Sequence, residues 1–378
     1  MLLRIAQYIG IAVAFVLGIL ILAPSGSVTV ERAPAPTVPT ASTTLSVAAT
    51  TETPSPAPDP VAPKKIIPPV PKPALAPPPS PVVTSAPVTV TVTAPVAPVV
   101  IDNVSLDSSA LTLRTALVNI ICYAPAGSSL RSISGSGVVV DSKGIILTNA
   151  HIAQNFLLAD RNVSCTIRAG SPAIDKYKAS LIYIPSAWVS ANTKILTESN
   201  PSGTGEYDFA LLAISKSVTR DELPSSFSSI PLATSPSNTG TPVVIASYGA
   251  QFLESSQIQS ALFPTVVFGS VKDVFTFANN TIDVLALGGS AAAQEGSSGG
   301  GIADGNGELV GTITTSTTQG TTDTRKLDAI TASYVRSAYA NETGEALDLL
   351  LIKPTVASIA DFAQQIPVLE SILTAQLH

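Results

Sequence analysis

The chain has 378 residues, of which 12% are charged, and its formal net charge is −6. This length allows one large domain or two small ones. The acidic balance leaves no basic face of the kind that binds nucleic acid, so no nucleic-acid partner is expected.

The first predicted element is an apolar segment at residues 5–23, which contains no charged side chain. Nineteen residues in a helix span about 28 Å, close to the hydrocarbon thickness of a bilayer. Arg4 and the amino terminus supply a positive flank, which predicts that the rest of the chain lies outside. Residues 1–24 are therefore expected to form a single-pass transmembrane helix in the cell membrane. A signal peptide cleaved near residues 25–27 is the alternative that the sequence leaves open.

Residues 25–105 are rich in proline, alanine, threonine and valine, and nineteen of the 31 prolines lie between Pro34 and Pro98. Repeated proline removes backbone donors and favours extended polyproline II over packed structure. We therefore expect a disordered linker. At ~3.1 Å per residue it could reach on the order of 200 Å and hold a domain clear of the membrane.

Residues 106–342 contain many short β-branched segments separated by glycine turns, which predicts an all-β domain. His151 follows one of these segments directly, and a short helix is expected at residues 153–158. The predicted strands are residues 119–123, 136–141, 145–148, 242–249, 265–271 and 281–287.

Three residue types needed for acyl transfer occur in order along this domain: His151, Asp208 and a serine between glycines, Ser298. A serine hydroxyl needs a base to remove its proton, and the only other histidine is the terminal His378. Asp208 precedes the apolar run 209–214, which would bury its carboxylate and require a partner such as an imidazole N–H. Most of the rival acids are flanked by polar or turn-like residues, and they are Asp160, Asp175, Asp221, Asp273 and Asp283. Glu206 is the nearest substitute and lies two residues before Asp208.

These residues lie in four segments that resemble trypsin-like serine proteases, most closely the bacterial HtrA-like branch. Residues 135–151 resemble the histidine region, 207–212 the aspartate strand, 296–301 the serine loop and 307–314 the strand that pairs with bound substrate. The resemblance spans roughly residues 110 to 342. It implies two packed six-stranded antiparallel β-barrels with the catalytic site in the cleft between them.

The resemblance also assigns roles. His151 would be the general base, Asp208 would orient it, and Ser298 would be the nucleophile. The backbone N–H groups of Gly296 and Ser298 would form the oxyanion hole. Ser297 competes with Ser298, but only Ser298 has the glycine spacing of the motif. Gly301 stands where proline is usual, which would loosen the turn without removing a chemical group.

The substrate pocket is implied by the same likeness. Ala292 would lie at the pocket floor, and Thr314 would lie on the strand that binds substrate. No acid occupies the floor, so a preference for lysine or arginine at the cleavage position is not supported. A small or medium apolar side chain is the default expectation there. Arg325 and Lys326 would lie near the opposite wall, which leaves an acidic preference open.

Cys122 and Cys165 flank His151 in β-rich surroundings. An even count and an oxidising location favour a disulfide, while two separate buried thiols remain the alternative.

Residues 343–378 are expected to form a helical tail that packs on the barrels, too short for a PDZ domain. The sequence thus predicts a membrane-tethered extracytoplasmic serine endopeptidase that acts on proteins or peptides, with no metal or organic cofactor. The alternative is an inactive protease fold used for binding or surface display. The sequence does not indicate an oligomeric state.

Overall fold

The computed structural model describes residues 64–65, 103–196, 203–277, 280–317, 319–375 and 377. The predicted anchor at residues 1–24 lies outside the described residues, as does almost all of the predicted linker at residues 25–105. Within the described part of the chain, no helix is long and apolar enough to cross a membrane.

The first half of the predicted catalytic region is a closed barrel. A two-residue strand, β1 (Lys64–Lys65), and a helix, α1 (Asn103–Ala116), come before it in the chain. Its six strands are β2 (Leu117–Tyr123), β3 (Ile133–Asp141), β4 (Ile145–Thr148), β5 (Ser164–Ala169), β6 (Ile174–Tyr183) and β7 (Ala210–Ser217). They pair antiparallel and close in the order β2-β3-β4-β7-β6-β5.

Short helices connect these strands. Helix α2 (Ala150–Ala153) and a 3₁₀ helix (Gln154–Arg161) follow β4, and α3 (Ser186–Ala191) follows β6. Strand β4 is buried along its whole length, between β3 and β7. Because successive side chains of a strand point to opposite faces, this strand is covered on both sides. The residues that follow it, including His151, thus start from a rigid base.

The second half is an eight-stranded antiparallel sheet that also includes β1. Its other strands are β8 (Pro242–Ser247), β9 (Thr265–Ser270), β10 (Asp273–Thr276), β11 (Val284–Ala286), β12 (Gly301–Asp304), β13 (Leu309–Ser316) and β14 (Leu327–Thr331). The order is β1-β10-β11-β14-β13-β12-β8-β9. A further helix, α4 (Ser255–Ser260), lies between β8 and β9.

The predicted second six-stranded barrel is therefore confirmed only in part. Strands β9 and β10 are separated by Val271 and Lys272 alone, and these two residues bond in different directions. Val271 N–H donates to the Thr241 carbonyl (3.0 Å), and Lys272 N–H donates to the Ala286 carbonyl (2.7 Å). The chain bends here, so that β9 pairs with β8 and β10 pairs with β11.

The predicted disulfide is present. Cys122 on β2 and Cys165 on β5 lie directly opposite each other in the barrel and are bonded. The bridge closes a loop with a sequence separation of 43 residues, for which chain entropy gives a stabilisation of ~4 kcal/mol.

The C-terminal tail is helical, as predicted, and it packs on the first barrel. Its helices are α6 (Leu347–Ile352), α7 (Thr355–Ala363) and α8 (Ile366–Thr374), and they follow α5 (Ala332–Thr343), a helix that lies before the predicted tail and was not predicted. Helix α7 lies against β6, and α8 lies against α3 and the 3₁₀ helix. Pro367 stands in the first turn of α8, where a missing N–H is tolerated.

Helix α1 explains the glycine at position 301. A Cβ on Gly301 would lie 2.7 Å from Leu309, 2.8 Å from Leu113 of α1 and 2.8 Å from Val138. Side chains from α1, β3 and β13 together leave no space for a Cβ at this position.

We expect Gly301→Ala to lower the free energy of unfolding by ~1–3 kcal/mol, because three packed side chains must move. Chemical denaturation of the purified variant measures this. Gly269→Ala is the matched control, since its Cβ would meet only Ile245 at an ordinary 3.6 Å. Equal stability of the two variants would contradict this packing account.

Candidate active site

His151 lies in the single turn of helix that follows β4. The strand end is fixed from both sides: Thr148 Oγ1 donates to the Ser136 carbonyl (2.7 Å), and Asn149 Nδ2 donates to the Asp208 carbonyl (2.8 Å). The backbone before His151 is thus tied to β3 and to the segment that carries the acid. Its side chain remains 26% exposed.

Asp208 is buried and accepts three hydrogen bonds through its carboxylate. His151 Nδ1 lies 2.8 Å from Oδ2, the His151 backbone N–H donates to Oδ1 (2.9 Å), and Thr314 Oγ1 donates to Oδ2 (2.8 Å). These contacts fix the carboxylate and hold the imidazole through Nδ1. Nε2 is therefore the ring nitrogen left for proton transfer.

The electrostatics of the pair favour ionised Asp208 and a basic His151. Burial by itself raises the pKa of Asp208, but the His151 charge and the hydrogen bonds from His151 and Thr314 outweigh it, so the pKa lies below its ordinary value. Burial likewise lowers the pKa of His151, but the charge and hydrogen bond of Asp208 outweigh it and raise the pKa. A base of this kind binds a transferred proton well.

We expect kcat/KM for peptide hydrolysis to fall as the pH is lowered, with a midpoint above the ordinary histidine value of 6.5. The reason is that protonated His151 cannot accept a proton, and its pKa is raised. Steady-state kinetics between pH 5 and 9 with Asp208→Asn as the comparison measures this, and the variant's midpoint should be lower. A wild-type midpoint at or below 6.5 would contradict the pairing.

The serine loop lies against β3 and β13. Gly296 and Gly299 both adopt positive φ angles, 89° and 82°. Ser136 on β3 donates from its Oγ to the Gly296 carbonyl and from its N–H to the Ser298 carbonyl, both at 2.8 Å. A Cβ on Gly299 would lie 2.0 Å from the Ser136 carbonyl oxygen, so only glycine permits this close approach.

The two adjacent serines differ in their surroundings. Ser297 is 1% exposed, and its Oγ accepts a hydrogen bond from Ser247 Oγ on β8 (3.1 Å). Ser298 is half-buried, and its neighbours Gly299 and Gly300 are buried. The hydroxyl of Ser297 is thus directed into the second half of the fold and away from solvent.

The backbone donors of the loop are used unevenly. The N–H groups of Ser297, Gly299 and Gly300 donate to the carbonyls of Gln294 (3.2 Å), Ile313 (2.9 Å) and Ser297 (2.9 Å). Among the described residues, the N–H groups of Gly296 and Ser298 have no acceptor. Two unused donors flank Ser297 in a glycine turn, and such a pair can stabilise a developing oxyanion.

The predicted substrate-binding residues are both buried. Ala292 is fully buried in the loop before Ser298, and its N–H donates to Ser290 Oγ (3.2 Å). The Thr314 hydroxyl is bonded to Asp208, so any contact with substrate is left to its backbone. The positioning contacts of Thr314, Asn149 and Ser136 were missed by sequence reasoning.

Comparison with known proteins agrees with this arrangement. Residues 135–311 match the family model described as "Trypsin-like peptidase domain". The chain carries a trypsin-like peptidase domain. No curated protein sequence matches it at a significant level. The matched segment of this peptidase domain contains His151, Asp208 and Ser298, and peptide-bond hydrolysis by a serine is the chemistry of its class.

Solved structures that are similar to this chain include two of Rv3671c from M. tuberculosis and one of Deg5. The active form of the Rv3671c protease is 20% identical, covers 69% of this chain and 95% of its own, and gives a TM-score of 0.39. An inactive form is 18% identical, covers 68% and 98%, and gives 0.38. Deg5 is 16% identical, covers 62% and 91%, and gives 0.39.

Proposed function

We propose that the chain is a membrane-tethered serine endopeptidase whose catalytic domain lies on the extracytoplasmic side. The observation that carries the catalytic part is the pair of unused N–H groups of Gly296 and Ser298. The loop that contains them is connected to the His151–Asp208 pair by hydrogen bonds through β3 and β13. An inactive binding fold has no need for such unused donors. The tether rests on the apolar residues 5–23 and the proline-rich residues 25–105.

In the proposed reaction, Ser298 Oγ attacks the carbonyl carbon of the scissile peptide bond while His151 Nε2 accepts the hydroxyl proton. Asp208 stabilises the resulting imidazolium. The oxyanion receives hydrogen bonds from the N–H groups of Gly296 and Ser298. His151 then gives the proton to the leaving amine, which departs and leaves an acyl-enzyme on Ser298. Water, deprotonated by His151, hydrolyses this ester and frees the serine.

The experiment that tests endopeptidase activity is incubation of the purified chain with an unfolded protein, followed by mass spectrometry of the fragments. We expect internal cleavage with new amino termini at sites far from either end. Intact substrate after prolonged incubation would favour the inactive binding fold, and trimming from one end only would indicate an exopeptidase.

The topology gives a separate prediction. An external protease added to intact cells should release a soluble fragment that begins near residue 100, because the proline-rich segment would be accessible outside the membrane. Immunoblotting of the supernatant against the catalytic domain measures the release, and a cytoplasmic protein that stays intact is the control. Protection of the domain until lysis would overturn the proposed orientation.

A further inference from the structure

Arg325 is a buried cation that touches the loop carrying Ser298. Its side chain is 6% exposed, and Nη1 donates to the Ala293 carbonyl (2.8 Å) and to Gln251 Oε1 (2.6 Å). Nε donates to the Gly320 carbonyl (3.1 Å). All three acceptors are neutral, so they satisfy hydrogen bonds of the guanidinium without balancing its charge.

The charge of Arg325 has no counter-ion in the described part of the chain. None of the carboxylates there lies within the 4.0 Å of an ion pair, although Asp323 and Asp328 are close in sequence. Burying an unpaired charge is costly, and such sites usually receive a partner. Nη2 makes no hydrogen bond, and it is not fully shielded from solvent. A donor of the guanidinium is therefore open to an incoming group.

The position of Arg325 relates this open donor to the reacting serine. Ala293 precedes Ser298 by five residues, so an extended chain would separate them by at most ~17 Å. The intervening segment is folded by hydrogen bonds such as Ser297 N–H to the Gln294 carbonyl (3.2 Å), which shortens that separation. On the other side, Arg325 lies between β13 and β14, and β13 accepts from the Gly299 N–H beside Ser298.

The aromatic ring of Phe252 lies next to the Arg325 guanidinium and is exposed to solvent. Its ring centroid lies 5.8 Å from the Arg325 guanidinium carbon, and the ring is 65% exposed. Phe252 offers an apolar contact to the stem of a bound side chain. A carboxylate on such a stem would reach a cation that lacks a counter-ion.

We propose that Arg325 is the specificity-determining residue of the proposed endopeptidase, and that the preferred substrates carry glutamate or aspartate immediately before the scissile bond. This inference rests on the proposed function and names its substrate class. The carboxylate of the substrate supplies the counter-ion and accepts a charge-assisted hydrogen bond from Nη2. Glutamine has the same shape without the charge, so the difference between the two measures the role of Arg325.

The test is a panel of peptides that differ only in the residue before the scissile bond: Glu, Asp, Gln, Leu and Lys. We expect the wild-type kcat/KM for Glu to exceed that for Gln by about tenfold to a hundredfold. Arg325→Gln should bring the Glu/Gln ratio close to unity, because it lowers kcat/KM for the Glu peptide more than for the Leu peptide. Lys216→Gln, an exposed cation on β7, is the matched charge control and should leave the ratio unchanged.

Three outcomes would overturn the assignment: a wild-type ratio near unity, an acidic preference that survives Arg325→Gln, or its loss only in Lys326→Gln. Lys326 is the neighbouring cation, and its side chain is exposed. If Arg325→Gln fails to fold, as judged by thermal melting, the wild-type ratio and the Lys326→Gln variant decide. Cleavage of no peptide by well-folded protein would instead count against the proposed function.

Discussion

Ser298→Ala and His151→Ala are each expected to lower kcat by on the order of 10⁶, because nucleophile and base act as one unit. The double variant should be scarcely slower than either single variant, since the base has no proton left to accept. Steady-state kinetics with a fluorogenic peptide measures kcat for the two single variants and the double variant. Circular dichroism should show an unchanged fold in each.

Ser297→Ala is the internal control for this prediction. The Ser297 hydroxyl is buried and bonded to Ser247 on β8, so it is not available for attack. We therefore expect substantial activity in Ser297→Ala. Full activity in Ser298→Ala, or loss confined to Ser297→Ala, would overturn the choice of nucleophile and the oxyanion hole proposed with it.

Asp208→Asn should lower kcat by about 10⁴, the second-largest effect expected. The amide cannot accept from His151 Nδ1 if its NH₂ group faces the ring, so the wrong tautomer is favoured. Kinetics at pH 8 measures the loss.

Thr314→Val tests the same carboxylate more gently, because it removes one of the hydrogen bonds to Oδ2. Thr314→Ser keeps the hydroxyl and should restore the activity that Thr314→Val loses. A Thr314→Val variant as slow as Asp208→Asn would contradict this ranking.

The local structure around the candidate site residues was predictable from the sequence because each residue lies in a short local motif. His151 follows a predicted strand whose bounds the structure reproduces at Ile145–Thr148, and Asp208 precedes the buried strand β7. The glycines around Ser298 indicate a turn that requires positive φ, and Gly296 and Gly299 adopt it. Local pattern and backbone preference agree at these positions.

The contacts that hold these motifs together were not readable, because they join distant parts of the chain. Thr314 and Asp208 are 106 residues apart, and Ser136 and Gly296 are 160 residues apart. The local sequence around each residue does not predict its distant partner. Such pairs follow only from the three-dimensional arrangement of the strands.

Helix α1 is a different case, since a signal for it was present. Leu106, Ala110 and Leu113 stand at helical spacing, and all three pack into or against the core. Without that helix, the glycine at position 301, where proline is usual, could be interpreted only as a looser turn. In the fold, Leu113 of α1 packs against Gly301, the first residue of β12.

The second half of the fold departs from the prediction for a physical reason. The strand predicted at residues 265–271 forms β9, but β10 was not predicted. The two are joined at Val271–Lys272 by a bend that transfers hydrogen bonding from β8 to β11. Strand patterns predict which residues are extended. They do not predict where an extended segment changes its partner.

Covalent labelling shows whether Ser298 is a nucleophile that His151 activates. The purified chain would be treated with a fluorophosphonate probe and digested, and the modified residue identified by tandem mass spectrometry. We expect one adduct, on Ser298 Oγ, that forms neither in His151→Ala nor in heat-unfolded protein. An adduct on Ser297, or no adduct on folded protein that binds peptides, would contradict it.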